Sequence, residues 1–147
     1  MKNNLKIRKA NKYDIAELNH LNSKTFKEAT KKLDFSKFVD NSKYKIIIAS
    51  KKEHIIGYLV IFKLANNLHE IISIAVCSSH KRKGVASLLL SEFLVNEKVN
   101  SRIILEVANK NEAAIKFYKT FSFDVDGIRK DYYKDPLDDA LLMSKII

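Results

Sequence analysis

The chain has 147 residues, 46% of them hydrophobic and 30% charged, which suits one soluble domain (1–147) able to bury a core without disulfides or a structural metal. A single cysteine, Cys77, excludes an internal disulfide and fits a reducing compartment. The four histidines (His20, His54, His69, His80) stand too far apart to read as a zinc signature, so no metal is expected. The net charge of +10 would attract nucleotide phosphates, RNA or a ribosome, but only four basic residues are arginines and no aromatic side chains interleave them. Surface lysines account for the charge, and direct nucleic-acid binding is not expected.

The basic start, Met1 to Arg8, leads into no apolar stretch of a signal peptide, and the longest apolar run, Ile55 to Phe62, is far short of the roughly 20 residues that cross a bilayer. No membrane association is expected, and cytoplasm is the default location. Leu5–Arg8 alternates apolar and polar residues and reads as a first strand. Asn11, with Asp14 three residues on, caps a helix whose Ile15, Leu18 and Leu21 share one face. Residues 26–41 read as a second helical stretch anchored by Phe35 and Phe38.

Tyr44–Ala49 and Ile55–Leu64 are β-rich runs joined through Ser50-Lys51-Lys52-Glu53, and a further strand follows Asn66-Asn67, from about His69 to Val76. Val85, Leu88, Leu89 and Phe93 mark an amphipathic helix from Gly84 to about Asn96. Arg102–Val107 is a strand, and Ala114, Phe117, Tyr118 and Phe121 mark a short helix. Phe123–Ile128 and Leu141–Ile146 are closing strands, with Arg129–Tyr133 and an Asp135-Pro136 turn between them. The order β-α-α-β-β-β-α-β-α-β-β implies an α/β fold: a mixed, mainly antiparallel central sheet flanked by helices on both faces.

Three features carry chemistry. Lys81-Arg82-Lys83-Gly84-Val85-Ala86 opens a helix, where unpaired N–H groups and the helix dipole favour an anion. Gly84 allows close approach of a phosphate; alone, the stretch reads more readily as an ordinary basic loop before a helix. Glu106 alternates onto one face with Ile104 and Ala108. It reads either as a carboxylate of raised pKa suited to proton transfer or as a strand-end residue paired with a lysine. Tyr118 lies on the inward stripe of its helix, where a tyrosine ordinarily packs and finds one hydrogen bond.

Their fixed order within about 50 residues, with Ile74-Ala75-Val76, Leu105-Glu106-Val107, Asn111-Glu112-Ala113-Ala114-Ile115 and Phe117–Phe123, resembles the GNAT (GCN5-related) N-acetyltransferase superfamily over almost the whole chain. Within it, Glu106 in its Leu-Glu-Val strand and Ile128–Tyr133 followed by Asp139–Met143 look most like bacterial enzymes that acetylate the N-terminal alanine of a ribosomal protein. Departures are Lys81 where Gln or Arg is usual, Ser78 in place of Pro, Ser122 where Gly precedes Phe, and no Pro-Trp pattern in 26–41.

The resemblance implies a GNAT fold and direct acetyl transfer from acetyl-CoA, as donor co-substrate, to a primary amine. It implies that Ile74, Ala75 and Val76 pair with the pantetheine arm and that the Val76 N–H faces the thioester oxygen. The stretch from Lys81 through Arg82, Lys83, Gly84, Val85 and Ala86 binds the pyrophosphate, and Asn111 bonds the cofactor arm. Glu106 is then the general base, directly or through water, and Tyr118 the general acid. Tyr132 and Tyr133, in the loop before the last strand, close over the acceptor. Cys77 reads as a small buried hydrophobe, since no histidine is suitably placed in sequence to activate it. The acceptor is expected to be a protein N-terminus, possibly ribosomal in kind. The same chemistry on a small amine, polyamine or lysine, and a non-catalytic CoA- or RNA-binding module, are the alternatives.

Overall fold

The computed structural model describes residues 5–27 and 31–147. Among these residues, seven strands, β1 (Leu5–Lys9), β2 (Tyr44–Lys51), β3 (His54–Ala65), β4 (Leu68–Val76), β5 (Arg102–Ala108), β6 (Asp124–Lys134) and β7 (Leu137–Ile146), pair in the order β1-β2-β3-β4-β5-β7-β6. The β4–β5 pair is parallel, whereas β1–β2, β2–β3, β5–β7 and β6–β7 are antiparallel. Among the described residues, three α-helices, α1 (Ile15–Thr25), α2 (Val85–Val95) and α3 (Glu112–Thr120), complete a mixed, mainly antiparallel α/β fold. Among the described residues, no helix is long and apolar enough to cross a membrane. Two compact units can be distinguished: residues up to Leu64 with Ile71–Glu97, and Ala65–Glu70 with Lys98–Ile147.

In the first unit, period-two alternation sends neighbouring residues of β2 and β3 to opposite faces. Ile46, Ile48, Tyr58 and Val60 share one buried cluster with Leu18 and Leu21 of α1 and with Phe35. On the other face, the position of Gly57 meets Val85 and Leu89 of α2. Helices thus cover both faces of these strands, and each fully buried aliphatic side chain contributes about 1.5–3 kcal/mol. Lys52 and Glu53 turn the β2–β3 hairpin with φ of +51° and +71°, a two-residue turn made without glycine.

The entry to α1 follows the expected capping pattern. Asn11 accepts from the Tyr13 N–H at 2.9 Å, and Asp14 accepts from the Asn11 N–H at 2.8 Å. Asp14 is buried and also takes both guanidinium nitrogens of Arg8, at 2.8 and 2.9 Å.

The second helix expected over 26–41 is not formed: among the described residues of that segment none is α-helical, and Phe35–Lys37 is a single 3-10 turn. The side chains of α1 supply the physical reason. Asn22 accepts from the Leu33 N–H and Asn19 from the Phe35 N–H, both at 2.8 Å, so these donors bond across to α1 rather than along their own segment. Asn22 is fully buried and donates to the Tyr58 hydroxyl at 2.7 Å, which in turn lies 3.1 Å from the Ser73 hydroxyl. Phe35 is driven into the core all the same, as its hydrophobicity predicts.

In the second unit, β4 contributes Leu68–Glu70, paired with Arg102–Ile104 of β5. The hairpin β6–β7 is longer than the sequence suggests, because residues 129–133 belong to β6 rather than to a loop. Its register shifts twice, once between Val125 and Gly127 and again between Arg129 and Tyr133. Just past the Phe121 C-cap of α3, Ser122 takes a φ of +68°, the left-handed position that favours glycine, at a cost of about 1 kcal/mol.

The Arg8 partnership and the Asn11 N–H hold the Asp14 carboxyl below its ordinary range, against the opposing effect of burial. A carboxylate depressed in the folded state stabilises fully above its unfolded pKa, and that stability is lost as pH falls through the folded value. Asp14→Ala should therefore cost about 1–3 kcal/mol at neutral pH. The difference from wild type in urea unfolding should stay flat above about pH 5 and shrink below the ordinary aspartate value of about 3.9.

Candidate active site

In the first unit, the Cys77 N–H donates to the Ile56 carbonyl of β3 at 2.8 Å. Successive residues of a strand direct their N–H groups to opposite edges, so the Val76 N–H is directed to the edge away from β3. Ala75 is buried in the core, while Ile74 and Val76 are partly exposed. Beyond β4, a 3-10 turn (Ser78–His80) leads to Lys81, Arg82 and Lys83, all exposed at the start of α2.

Arg82 and Gly84 both take positive φ, at +63° and +82°. Gly84 is the N-cap of α2, and no side chain caps the first turn. A Cβ on Gly84 would meet nothing within 4 Å, so glycine is favoured here by backbone conformation and not by crowding. The result is an open helix start with free N–H groups, a partial positive charge and three basic side chains at its mouth.

Gly57 is a residue that reading the sequence missed. A Cβ there would lie 3.0 Å from Val85 Cγ1 and 3.1 Å from the Ala75 carbonyl oxygen. The missing side chain allows the first turn of α2 to sit directly on β3 beside the end of β4.

Cys77 departs from expectation in one respect. It packs partly buried against the core, as predicted, but its sulfur lies 3.0 Å from His80 Nδ1, a contact that three-residue spacing in a tight turn creates. The Ser79 hydroxyl lies at the same distance from that nitrogen. Partial burial and the charges of Lys51 and Lys83 push the His80 imidazole below its ordinary value.

In the second unit, Glu106 does not sit in purely apolar surroundings. Its carboxylate is 3.3 Å from the Arg129 guanidinium, an ion pair supplied by β6, which the strand's own alternation could not reveal. Burial pushes the Tyr133 hydroxyl up, with further upward effects from Glu106, Tyr132 and Asp138. Tyr132 is exposed, with the Arg129 guanidinium 5.1 Å from its ring centre, and its ring meets that of Tyr133 edge-on at 5.1 Å. Between Arg129 and Tyr133 the β6 strand carries two residues more than β7, and Asp139 caps this bulge by accepting from the Asp131 N–H at 2.8 Å. Bulges of this kind re-aim side chains, and here Glu106, Arg129 and Tyr133 come together.

Asn111 is the N-cap of α3: its side-chain oxygen accepts from the Ala114 N–H at 3.1 Å, which leaves its amide N–H₂ for other partners. Tyr118 is buried between Phe117 and Phe123, and burial pushes its hydroxyl far above the ordinary range. Asp138 fixes the approach to α3 by accepting from the Lys110 N–H at 2.8 Å.

Residues 13–123 match the acetyltransferase (GNAT) family. The chain belongs to that family. Over 146 residues it is 28% identical to a Bacillus subtilis protein provisionally named a ribosomal protein bS18-alanine N-acetyltransferase, covering 97% of this chain and 96% of that one. Its fold is similar to the ribosomal-protein-S18-alanine N-acetyltransferase of Escherichia coli, with a TM-score of 0.86 and 21% identity over 97% of this chain and 94% of the other. It is also similar to a GNAT acetyltransferase of Elizabethkingia anophelis with acetyl-CoA bound, with a TM-score of 0.76 and 18% identity over 99% and 100% of the two chains.

As a GNAT acetyltransferase, the protein is an acetyl-CoA-dependent N-acetyltransferase. The donor set at the start of α2 fits that co-substrate: an uncapped helix start, an open Gly84 and three cations suit a pyrophosphate. Because Gly57 sets how closely α2 approaches the sheet, Gly57→Val should displace the first turn. The expected result is at least a tenfold weaker acetyl-CoA affinity by calorimetry and a loss of about 1–3 kcal/mol of stability. Unchanged affinity in a folded variant would remove Gly57 as the spacer.

Proposed function

We propose that this acetyltransferase acts on the N-terminal α-amine of a protein, of the ribosomal-protein alanine kind. Acetyl-CoA supplies the acetyl group as an activated thioester. Backbone N–H groups from Arg82 to Ala86 bind its pyrophosphate, with Lys81, Arg82 and Lys83 adding charge. The outer edge of Ile74, Ala75 and Val76 hydrogen-bonds the pantetheine arm, and the Val76 N–H is directed at the thioester oxygen. The amide of Asn111 holds the arm.

Glu106 acts as the general base, directly or through a water, and Tyr118 as the general acid toward the departing sulfur. Tyr132 and Tyr133 border the acceptor's terminus. Each proton-transfer role is typically worth about 10²–10⁴-fold in rate. The observation that carries this reading is the pairing, within one unit, of a carboxylate ion-paired to Arg129 with a buried phenol that stays protonated well into the alkaline range. Moving an acetyl group from a thioester to an ammonium group calls for one group that takes a proton and one that gives a proton, and these two side chains supply them. The similarity to the Bacillus subtilis protein along nearly the whole of both chains supports the acceptor class. The cytoplasm, where ribosomal proteins reside, is the proposed location.

The test is an acetyl-CoA assay against a panel of N-terminal peptides, lysine peptides and polyamines, with product masses measured. Alanine-led peptides should gain one acetyl group at the α-amine and outpace the other amines. Preference for a polyamine would move the acceptor class. In the same assay, Tyr118→Phe should lower kcat by about 10²-fold or more with acetyl-CoA affinity nearly unchanged, and an unaltered kcat would demote Tyr118 to packing.

A further inference from the structure

Asp138 stands outside the proton transfers of the proposed reaction, yet its carboxylate is buried and accepts two backbone hydrogen bonds. The β5–β7 ladder runs antiparallel as far as Ala108 opposite Ala140. One step further, the Asn109 N–H still donates to the Asp139 carbonyl, at 2.9 Å. At the next step Asp138 falls opposite Lys110, and its side chain replaces its backbone as the acceptor. Oδ2 takes the Lys110 N–H at 2.8 Å. Oδ1 takes the Asp139 N–H, also at 2.8 Å, which fixes the orientation of the carboxylate. The Asn111 N–H then turns back to the Ala108 carbonyl at 2.9 Å. The N–H groups of Asn109, Lys110 and Asn111 are all placed in this way, and Asp138 holds the middle one.

We propose that Asp138 is a positioning residue for acetyl-CoA: by holding Lys110 it fixes the direction in which Asn111 presents its N–H₂ to the cofactor arm. The inference rests on the reading of Asn111 as a ligand of that arm and adds the group that aims it. Asn111 commits its side-chain oxygen to the Ala114 N–H, so the backbone before it decides where the N–H₂ points. The anchor is itself fixed, because Asp138 pairs with Tyr133 in the β6–β7 ladder.

A carboxylate suits this task for a specific reason. The two N–H donors arrive on different oxygens, and a carboxylate accepts at both. An asparagine accepts at one oxygen only and would set its own N–H₂ against the other donor. A buried N–H group left without an acceptor is costly, so the turn would shift to find one. Asn111 is the next residue after Lys110, and the shift reaches its side chain directly.

The experiment compares wild type, Asp138→Asn, Asp138→Glu, Asn111→Asp and the double variant Asp138→Asn with Asn111→Asp, all as full chains. Calorimetry reads acetyl-CoA binding, and steady-state kinetics use an alanine-led peptide. Asn111→Asp keeps an acceptor to cap α3 and removes the N–H₂. Asp138→Asn should weaken acetyl-CoA binding by about 5–10-fold and raise its KM to match. Its kcat at saturating acetyl-CoA should stay within about threefold of wild type, as loss of binding alone requires. Asp138→Glu, which keeps both acceptor oxygens, should recover part of the affinity. A residue that acts through Asn111 costs little once the N–H₂ is gone, so the double variant should bind within about twofold of Asn111→Asp.

If Asp138→Asn binds acetyl-CoA as wild type does while Asn111→Asp is weakened, Asp138 serves stability alone and the reading of Asn111 stands. Losses that multiply in the double variant overturn the proposal equally. If Asn111→Asp binds as tightly as wild type, Asn111 is no ligand of the arm and the proposal falls with that reading. Should Asp138→Asn not fold, Asp138→Glu gives the same comparison, alone and with Asn111→Asp. A loss of about threefold or more that vanishes in the Asn111→Asp background supports the proposal. A loss that persists there, or none at all, overturns it.

Discussion

The hydrogen bond from the Cys77 N–H to the Ile56 carbonyl sets the orientation of the end of β4, and the reading of the donor site depends on it. The N–H and C=O groups of a strand edge must find water or another partner. The Cys77–Ile56 bond fixes which edge of β4 belongs to β3, and so fixes that Val76 offers its N–H on the other. In the proposed function the amide-bearing arm of acetyl-CoA satisfies that edge.

Holding a strand end in this condition requires support that costs stability elsewhere. On the first unit the support is close packing: Gly57 removes the one side chain that would keep α2 away from β3. Beneath it, the Asn22–Tyr58–Ser73 chain of hydrogen bonds ties α1, β3 and β4 together in the buried interior. A fully satisfied buried network of this kind specifies one arrangement, since breaking any member leaves the others unpaired at about 1–3 kcal/mol each. On the second unit the support is the β6 bulge, whose strained Asp131 (φ +50°) is held by the Asp139 carboxylate. Residues that take positive φ without being glycine recur around the site, at Arg82, Ser122 and Asp131. Each is tolerated because a neighbouring turn, cap or carboxylate fixes it.

Much of this was legible in the sequence, and the limits have physical causes. Periodicity located β1 to β5 and α1 to α3 because each buries one face of local sequence, and Asn11 with Asp14 announced the start of α1 through chemistry confined to four residues. The failure over 26–41 has the opposite character. Phe35 and Phe38 are apolar at helical spacing, but the N–H groups of Leu33 and Phe35 are claimed by Asn19 and Asn22, more than ten residues away. Residues 129–133 looked like a loop because the strand there carries extra residues, and a bulge destroys the alternation that betrays a strand. Gly57 was missed because its importance lies in what faces it, Val85 and Ala75. The Cys77–His80 contact was missed because reading along the chain treats a three-residue gap as distance, whereas a 3-10 turn closes it.

The net charge of +10 gives little guidance to the site, because the charges that matter are local and of both signs. The two substrates of the proposed reaction carry opposite charge: the donor is a phosphate-bearing anion and the acceptor an ammonium cation. The first unit gathers Lys81, Arg82 and Lys83 at an uncapped helix start, while the second holds Glu106 in an ion pair with Arg129. A uniformly basic surface would attract the donor and repel the acceptor. Arg129 is ion-paired to Glu106. In the proposed function an incoming ammonium group competes with Arg129 for Glu106, and it brings with it the proton the reaction must remove. Recognition of the acceptor and its activation then fall to the same carboxylate, and the strength of the Arg129–Glu106 ion pair sets the balance between them.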